Sequence, residues 1–187
     1  MSRLSEEEIV NKLQNDQEVE YVFDQLVQLY KERLYWHIRH IVKNHEDAHD
    51  VLQNTFIKVF RYRKKFKKES KLYSWMYRIA TNESITFLNK KAKKLNINNL
   101  ELNELLLENL ESDPYFEGEE IQLLLQKAVV ILPEKQQQVF NLKYFQDLKY
   151  KEIAEILEVS EGALKSNYHH AVKKVEKFLK ENQTIDK

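Results

Sequence analysis

The chain has 187 residues and a formal net charge of zero, from 30 basic and 30 acidic side chains, and its length suffices for one ordinary domain or two small ones. It has no cysteine, which excludes a disulfide framework and a thiolate metal site. Met1-Ser2-Arg3 leads into the capping-box spelling Ser5-Glu6-Glu7-Glu8 rather than an apolar signal core, and no run of about 18 apolar residues occurs, so a cytoplasmic protein without membrane insertion is expected.

Only two glycines (Gly118, Gly162) and two prolines (Pro114, Pro133) interrupt a sequence dominated by good helix formers, which predicts an all-α fold. The neutral total hides segregated charge. Residues 1–50 carry 6 basic and 11 acidic side chains, and 51–93 carry 12 and 2. Residues 94–121 carry 1 and 8, and 122–187 carry 11 and 9. A strongly cationic block inside a neutral protein suits a polyanion, although a solvated lysine-rich face has the same composition.

In chain order, Phe23, Leu26, Tyr30, Leu34, Ile38 and Ile41 recur at helical spacing, and after an Asn44 cap Val51, Leu52, Thr55, Phe56, Val59 and Phe60 repeat the pattern. Both stripes read as core. The cap opens NHEDAHD (residues 44–50), whose His45-Glu46-x-x-His49 is the spacing that holds zinc on one helical face. No convincing third ligand follows, and Asp47 and Ala48 occupy the intervening positions, so no metal is expected. A basic loop, Phe66-Lys67-Lys68-Glu69-Ser70-Lys71, precedes a further helix carrying Trp75, Ile79, Phe87 and Leu88. Trp75 is expected to pack inward.

From Leu95 to Glu119, acidic residues, asparagines, Ser112-Asp113-Pro114 and Gly118 read as a linker with at most a weak helix around residues 102–110. A helix over residues 121–132 then breaks at Leu132-Pro133 and a second continues through Val139, Phe140 and Tyr144. Tyr150-Lys151-Glu152-Ile153-Ala154-Glu155-Ile156-Leu157 is a short amphipathic helix, Glu158-Val159 a turn, and Ser160 the cap of a helix running past Val175. This is a helix-turn-helix spelling. Ile153, Leu157, Val159, Leu164 and Tyr168 are expected between the two helices, and Leu164, Tyr168, Ala171, Val175 and Phe178 form the buried stripe of the second. Ala163, Lys165, Ser166, His169, His170 and Lys173 then face outward, as a helix reading a major groove requires.

The segment Leu132-Pro133-Glu134, Gln138-Val139-Phe140, Tyr150-x-Glu152-Ile153-Ala154-x-x-Leu157, Ser160-x-Gly162, Lys165-Ser166 and Ala171 resembles region four of the extracytoplasmic-function (ECF) sigma factors of the sigma-70 family. Asp47-Ala48-x-Asp50-Val51-x-Gln53-x-x-Phe56, Phe66 and Trp75-x-Tyr77-Arg78-Ile79-Ala80-x-Asn82 resemble region two. The resemblance implies two small helical domains, at residues 1–94 and 120–187, joined by an acidic linker at 95–119. It further implies a non-catalytic promoter-specificity subunit without cofactor, whose partners are core RNA polymerase and promoter DNA, duplex and single-stranded, with an anti-sigma factor as a further candidate.

By the same resemblance, Ala163, Lys165, Ser166, His169 and Lys173 are candidates for the duplex minus-thirty-five element. Phe66, Lys67, Lys68, Lys71, Arg78 and Asn82 are candidates for an unstacked minus-ten base, and Asp47, Asp50 and Gln53 for core polymerase. The acidic linker reads equally as a nucleic-acid mimic or a solvated spacer. The chain departs from the family at Glu158, where glycine is common, at Asn54 and Thr86, where acidic residues are, and at Asn167, His170 and Val172, where arginines are. A stand-alone helix-turn-helix regulator would explain only the second half, and a zinc hydrolase only NHEDAHD.

Overall fold

Local sequence chemistry starts most of the helices. Ser5 and Glu8 close a reciprocal capping box at the head of α1 (Glu6–Gln14), satisfying amides that the first helical turn leaves without partners. Asn44 Oδ1 accepts from the Asp47 amide at 3.0 Å and starts α3 (His45–Tyr62). Between them, α2 (Val19–Val42) buries Val22, Leu26, Tyr30, Leu34 and Ile38 along one stripe. A 3-10 turn at Arg63–Lys65 follows α3, and α4 spans Leu72–Leu95. The computed structural model describes residues 4–67, 70–114 and 120–183.

The second half comprises α5 (Asn99–Glu111), α6 (Glu120–Val130), α7 (Glu134–Phe140), α8 (Tyr150–Leu157) and α9 (Glu161–Gln183). A π-helical turn, Asn141–Phe145, continues α7. No strand occurs among the described residues, and no helix among them is long and apolar enough to cross a membrane.

Where only a weak helix around residues 102–110 is expected, α5 has 13 residues. A second capping box, between Asn98 and Glu101, opens it, and Leu102, Leu106 and Leu110 are buried in a cluster with Val130 of α6. The acidic residues conceal a regular apolar stripe at i, i+4, i+8, which is a packing face rather than a solvated one.

The largest buried cluster joins α1, α2, α3 and α4 to Val139, Leu142, Leu148, Ile153, Ile156 and Leu164 of the second half. A smaller cluster ties Ala128, Val129, Leu132 and Phe140 to Ala171 and Val175 of α9. Three aromatic or apolar residues depart from the sequence expectation. Phe60 is 39% exposed and Val159 40% exposed, whereas Ile156, not expected in the core, is buried in the same cluster as Ile153. The helical period assigns a face only to within a residue, and the neighbours decide which edge of the stripe is covered.

Two histidines of α2 lie inside the structure. His37 Nε2 is 2.8 Å from Thr81 Oγ1, and Thr81 donates its own proton to the Tyr77 carbonyl, so His37 Nε2 is the donor and Nδ1 the unprotonated nitrogen. His40 stacks on Phe145 at 4.0 Å between ring centroids. Burial pushes both down to about 3, so both are neutral at pH 7.

Candidate nucleic-acid interface

Helices α8 and α9 meet at a tight turn. α8 ends on Glu158, held in the left-handed region at φ 57°, where a residue with a side chain costs about 1 kcal/mol relative to glycine. Ser160 Oγ then accepts from the Ala163 amide at 3.3 Å, starting α9. Leu164, Ala171 and Val175 point into the core. Ala163, Lys165, Ser166, His169 and Lys173, the five candidates of this helix, are all exposed, as is His170. Lys165 Nζ lies 4.0 Å from Glu161 Oε2 and 5.7 Å over the Tyr150 ring. An exposed pair of this kind is weak and readily exchanged for a phosphate.

The candidates of the basic loop and α4 divide. Lys67 and Asn82 are exposed. Phe66 is buried, packs against Trp75 at 5.3 Å between centroids, and accepts a hydrogen bond on its carbonyl from Gln14 Nε2. The Phe66 ring is therefore turned away from solvent, unlike the other described candidates of this group, and Trp75 packs against the core. Lys68 lies outside the described residues. Lys71 and Arg78, both on or beside α4, already have acid partners. Lys71 Nζ is 3.0 Å from Glu152 Oε1, and Arg78 Nη1 donates to Glu158 Oε1 at 2.9 Å while Nη2 donates to the Glu155 carbonyl.

Glu152 is the centre of this second arrangement. It accepts from the Tyr73 hydroxyl and from Lys71, and from the Lys149 amide at 2.9 Å. Partial burial acts to raise its pKa, but the Tyr73, Lys149 and Lys71 hydrogen bonds outweigh that and bring it to about 2. Tyr73 carries no periodicity signal that sets it apart from a core aromatic, so its role as a donor across the two halves is invisible in the sequence.

On α3, Asp50 and Gln53 are exposed. Asp47 is half-buried and ion-paired with Lys91 of α4 at 2.6 Å. Ile57 is 48% exposed and, with Phe60, extends the exposed series 50, 53, 57 and 60 along one stripe. Neither was a candidate, although the i, i+3, i+7, i+10 series from Asp50 contains both. Arg63 covers the Phe60 ring at 4.4 Å.

The histidines of NHEDAHD lie one turn apart with ring centroids 4.6 Å apart, and His45 Nδ1 is 2.7 Å from the Tyr35 hydroxyl. No group of three or more His, Cys, Asp or Glu side chains placed to hold a metal occurs among the described residues. The pair lines a cleft of about 760 Å³ with Tyr35, Trp36, Lys43 and Tyr144.

Comparison with known proteins agrees with the two-part layout. Residues 26–94 match the family described as sigma-70 region 2, and residues 122–175 match sigma-70 region 4. The ECF RNA polymerase sigma factor SigW of Bacillus subtilis is 27% identical over 167 residues, covering 85% of this chain and 89% of its own. The RNA polymerase sigma-H factor of Pseudomonas aeruginosa is 26% identical over 173 residues, covering 84% of this chain and 86% of its own. Two solved structures share the fold. CnrH in complex with the cytosolic domain of CnrY has a TM-score of 0.68 at 18% identity, over 92% of this chain and 95% of that one. The sigma factor RpoE of Bartonella quintana in complex with the anti-sigma factor NepR has a TM-score of 0.67 at 21% identity, over 84% and 96%.

Proposed function

The chain belongs to the sigma-70 family, as a sigma factor of the ECF type, and we propose that its two regions divide promoter recognition between duplex and single-stranded DNA. It binds core RNA polymerase in the cytoplasm, catalyses nothing itself, and carries polymerase to particular promoters. The exposed face of α9, Ala163, Lys165, Ser166, His169 and Lys173, enters the major groove of the minus-thirty-five element. There the lysines neutralise phosphates and the small or polar side chains approach base edges. Lys67, Lys71, Arg78 and Asn82, with Lys68, hold the displaced strand at the minus-ten element, where cations track the backbone of an unstacked segment. Asp50 and Gln53, with Asp47 beside them, face polymerase, and Ile57 and Phe60 add apolar area to the same stripe. An anti-sigma factor is a further partner of this reading.

What carries the reading is the single exposed polar and cationic face of α9 behind a capped turn, in a chain whose other half matches region two. A stand-alone regulator leaves residues 26–94 without a purpose. Reconstitution with core polymerase, followed by sequencing of transcript starts, tests it. Starts clustered downstream of a shared promoter sequence are expected, and starts no different from those of core polymerase alone would overturn it.

A further inference from the structure

The cleft beside the histidines of NHEDAHD has a volume of about 760 Å³, which is the size of a small-molecule site. Its lining comes from α2 and the start of α3, and from α5, α6 and the π-helical turn. None of these lining residues is among those assigned above to DNA or polymerase.

Aromatic rings run along it in an unbroken series. Tyr35, Trp36 and His40 of α2 are followed by Phe145 and Tyr144 of the π-helical turn, with successive centroids 5.3, 6.3, 4.0 and 5.1 Å apart. Trp36 is 49% and Tyr144 54% exposed, so two large ring faces remain open to solvent.

The charge of the cleft is buried. Arg39 is ion-paired with Asp113, which is the sole carboxylate among the described lining residues. Lys43 is 2% exposed, and its Nζ donates to Gln126 Oε1 of α6. An amide oxygen satisfies one of the three ammonium protons and supplies no counter-charge. Burial first, and the Arg39 charge second, push Lys43 down to about 7, as befits an ammonium short of an anion. His40, neutral at pH 7, serves as a ring. Open aromatic faces accept either a cation or another flat ring, and here Arg39 and Lys43 oppose a cation.

We propose that this cleft binds a small anion bearing a planar aromatic ring, of the size of a nucleoside monophosphate, with the ring against Trp36 and Tyr144 and the anionic group on Lys43. Each part answers a separate deficit. The anion supplies the counter-charge that a buried ammonium lacks, and the ring displaces water from exposed aromatic faces. Phosphate and carboxylate both meet the first requirement.

The test is calorimetric titration of the full-length protein at pH 7, without polymerase or DNA. Adenosine 5′-monophosphate and 1-naphthoate present the two anions, adenosine and 1-naphthamide are their neutral counterparts, and inorganic phosphate lacks the ring. At least one aromatic anion should bind with a dissociation constant below about 1 mM, and which one does so identifies the anion the site takes. Its neutral counterpart and inorganic phosphate should bind about ten-fold more weakly or worse. Lys43→Met should weaken the aromatic anion by about ten-fold or more, and Trp36→Ala, at a half-exposed position, by about ten-fold. In Trp75→Phe, Trp36 is the remaining tryptophan, and saturation with the ligand should quench its fluorescence. Binding of neither aromatic anion would overturn the proposal, as would a neutral counterpart that binds equally well. Unchanged affinity in both Lys43→Met and Trp36→Ala, each with native circular dichroism, would place the ligand elsewhere and overturn it too. Should Lys43→Met fail to fold, Trp36→Ala and the neutral counterparts decide.

Discussion

His37 and His40 show how a single side chain can set the acid limit of the fold. Both are pushed down to about 3 by burial, whereas an unfolded histidine titrates at about 6.5. Between those values the unfolded chain binds more protons than the folded one, so stability is lost as pH falls from about 6.5 toward about 3. Two such groups give a limiting slope of about 2.7 kcal/mol per pH unit. Urea unfolding at pH 7, 6 and 5 should show midpoints falling with pH, and His37→Gln should reduce the slope by about half. A midpoint constant from pH 7 to 5 would mean that these imidazoles are not buried neutral. Glu152 acts lower in the scale. Its depressed pKa stabilises the fold above about 4.5, and that contribution is lost as pH falls toward about 2.

At the scale of the element, α5 and α3 make opposite uses of their faces. α5 looks like solvated linker by composition, yet Leu106 is 5% exposed between Leu102 and Leu110. Leu106→Ala should therefore destabilise the protein by about 2 to 5 kcal/mol in urea unfolding, the range for a buried leucine. A change within about 0.5 kcal/mol would be that of a surface site. α3 buries Ala48, Val51, Thr55, Phe56 and Val59 and leaves Asp50, Gln53, Ile57 and Phe60 outward. Asp50→Lys should keep native circular dichroism and weaken binding to core polymerase, since reversal of an interface charge brings repulsion against a basic partner. Unchanged affinity in a measured core-binding titration would remove this stripe from the interface.

For the whole molecule, the two proposed DNA surfaces predict separable defects. Lys165→Ala in the holoenzyme should weaken binding to promoter duplex and lower the slope of log affinity against log salt by about 0.9, the effect of one neutralised phosphate. Lys67→Ala with Asn82→Ala, neither part of the ion pairs that join the halves, should impair strand opening more than duplex binding. Fluorescence anisotropy follows the first and permanganate reactivity of unpaired thymines the second. The reverse pattern would exchange the roles of the two surfaces.

What the sequence determined by itself is the local order of the chain. The caps Ser5, Asn44 and Ser160, the stripe of α2 and the outward face of α9 follow from hydrogen bonds and side-chain contacts within a turn or two, and such contacts depend on spacing alone. The turn at Glu158-Val159 is legible in the same way, whereas the left-handed backbone of Glu158 is a finding of the structure. Tertiary structure decided what no spacing contains. It buried Phe66 against Trp75, exposed Val159 and Phe60 at the edges of their stripes, and made a packing face of an acidic segment. It also joined Arg78 to Glu158 across 80 positions of sequence. That pairing depends on how two helical units dock, and docking is set by the summed fit of buried side chains such as Tyr77, Ile153 and Ile156, a property of surfaces in space rather than of neighbours in the chain.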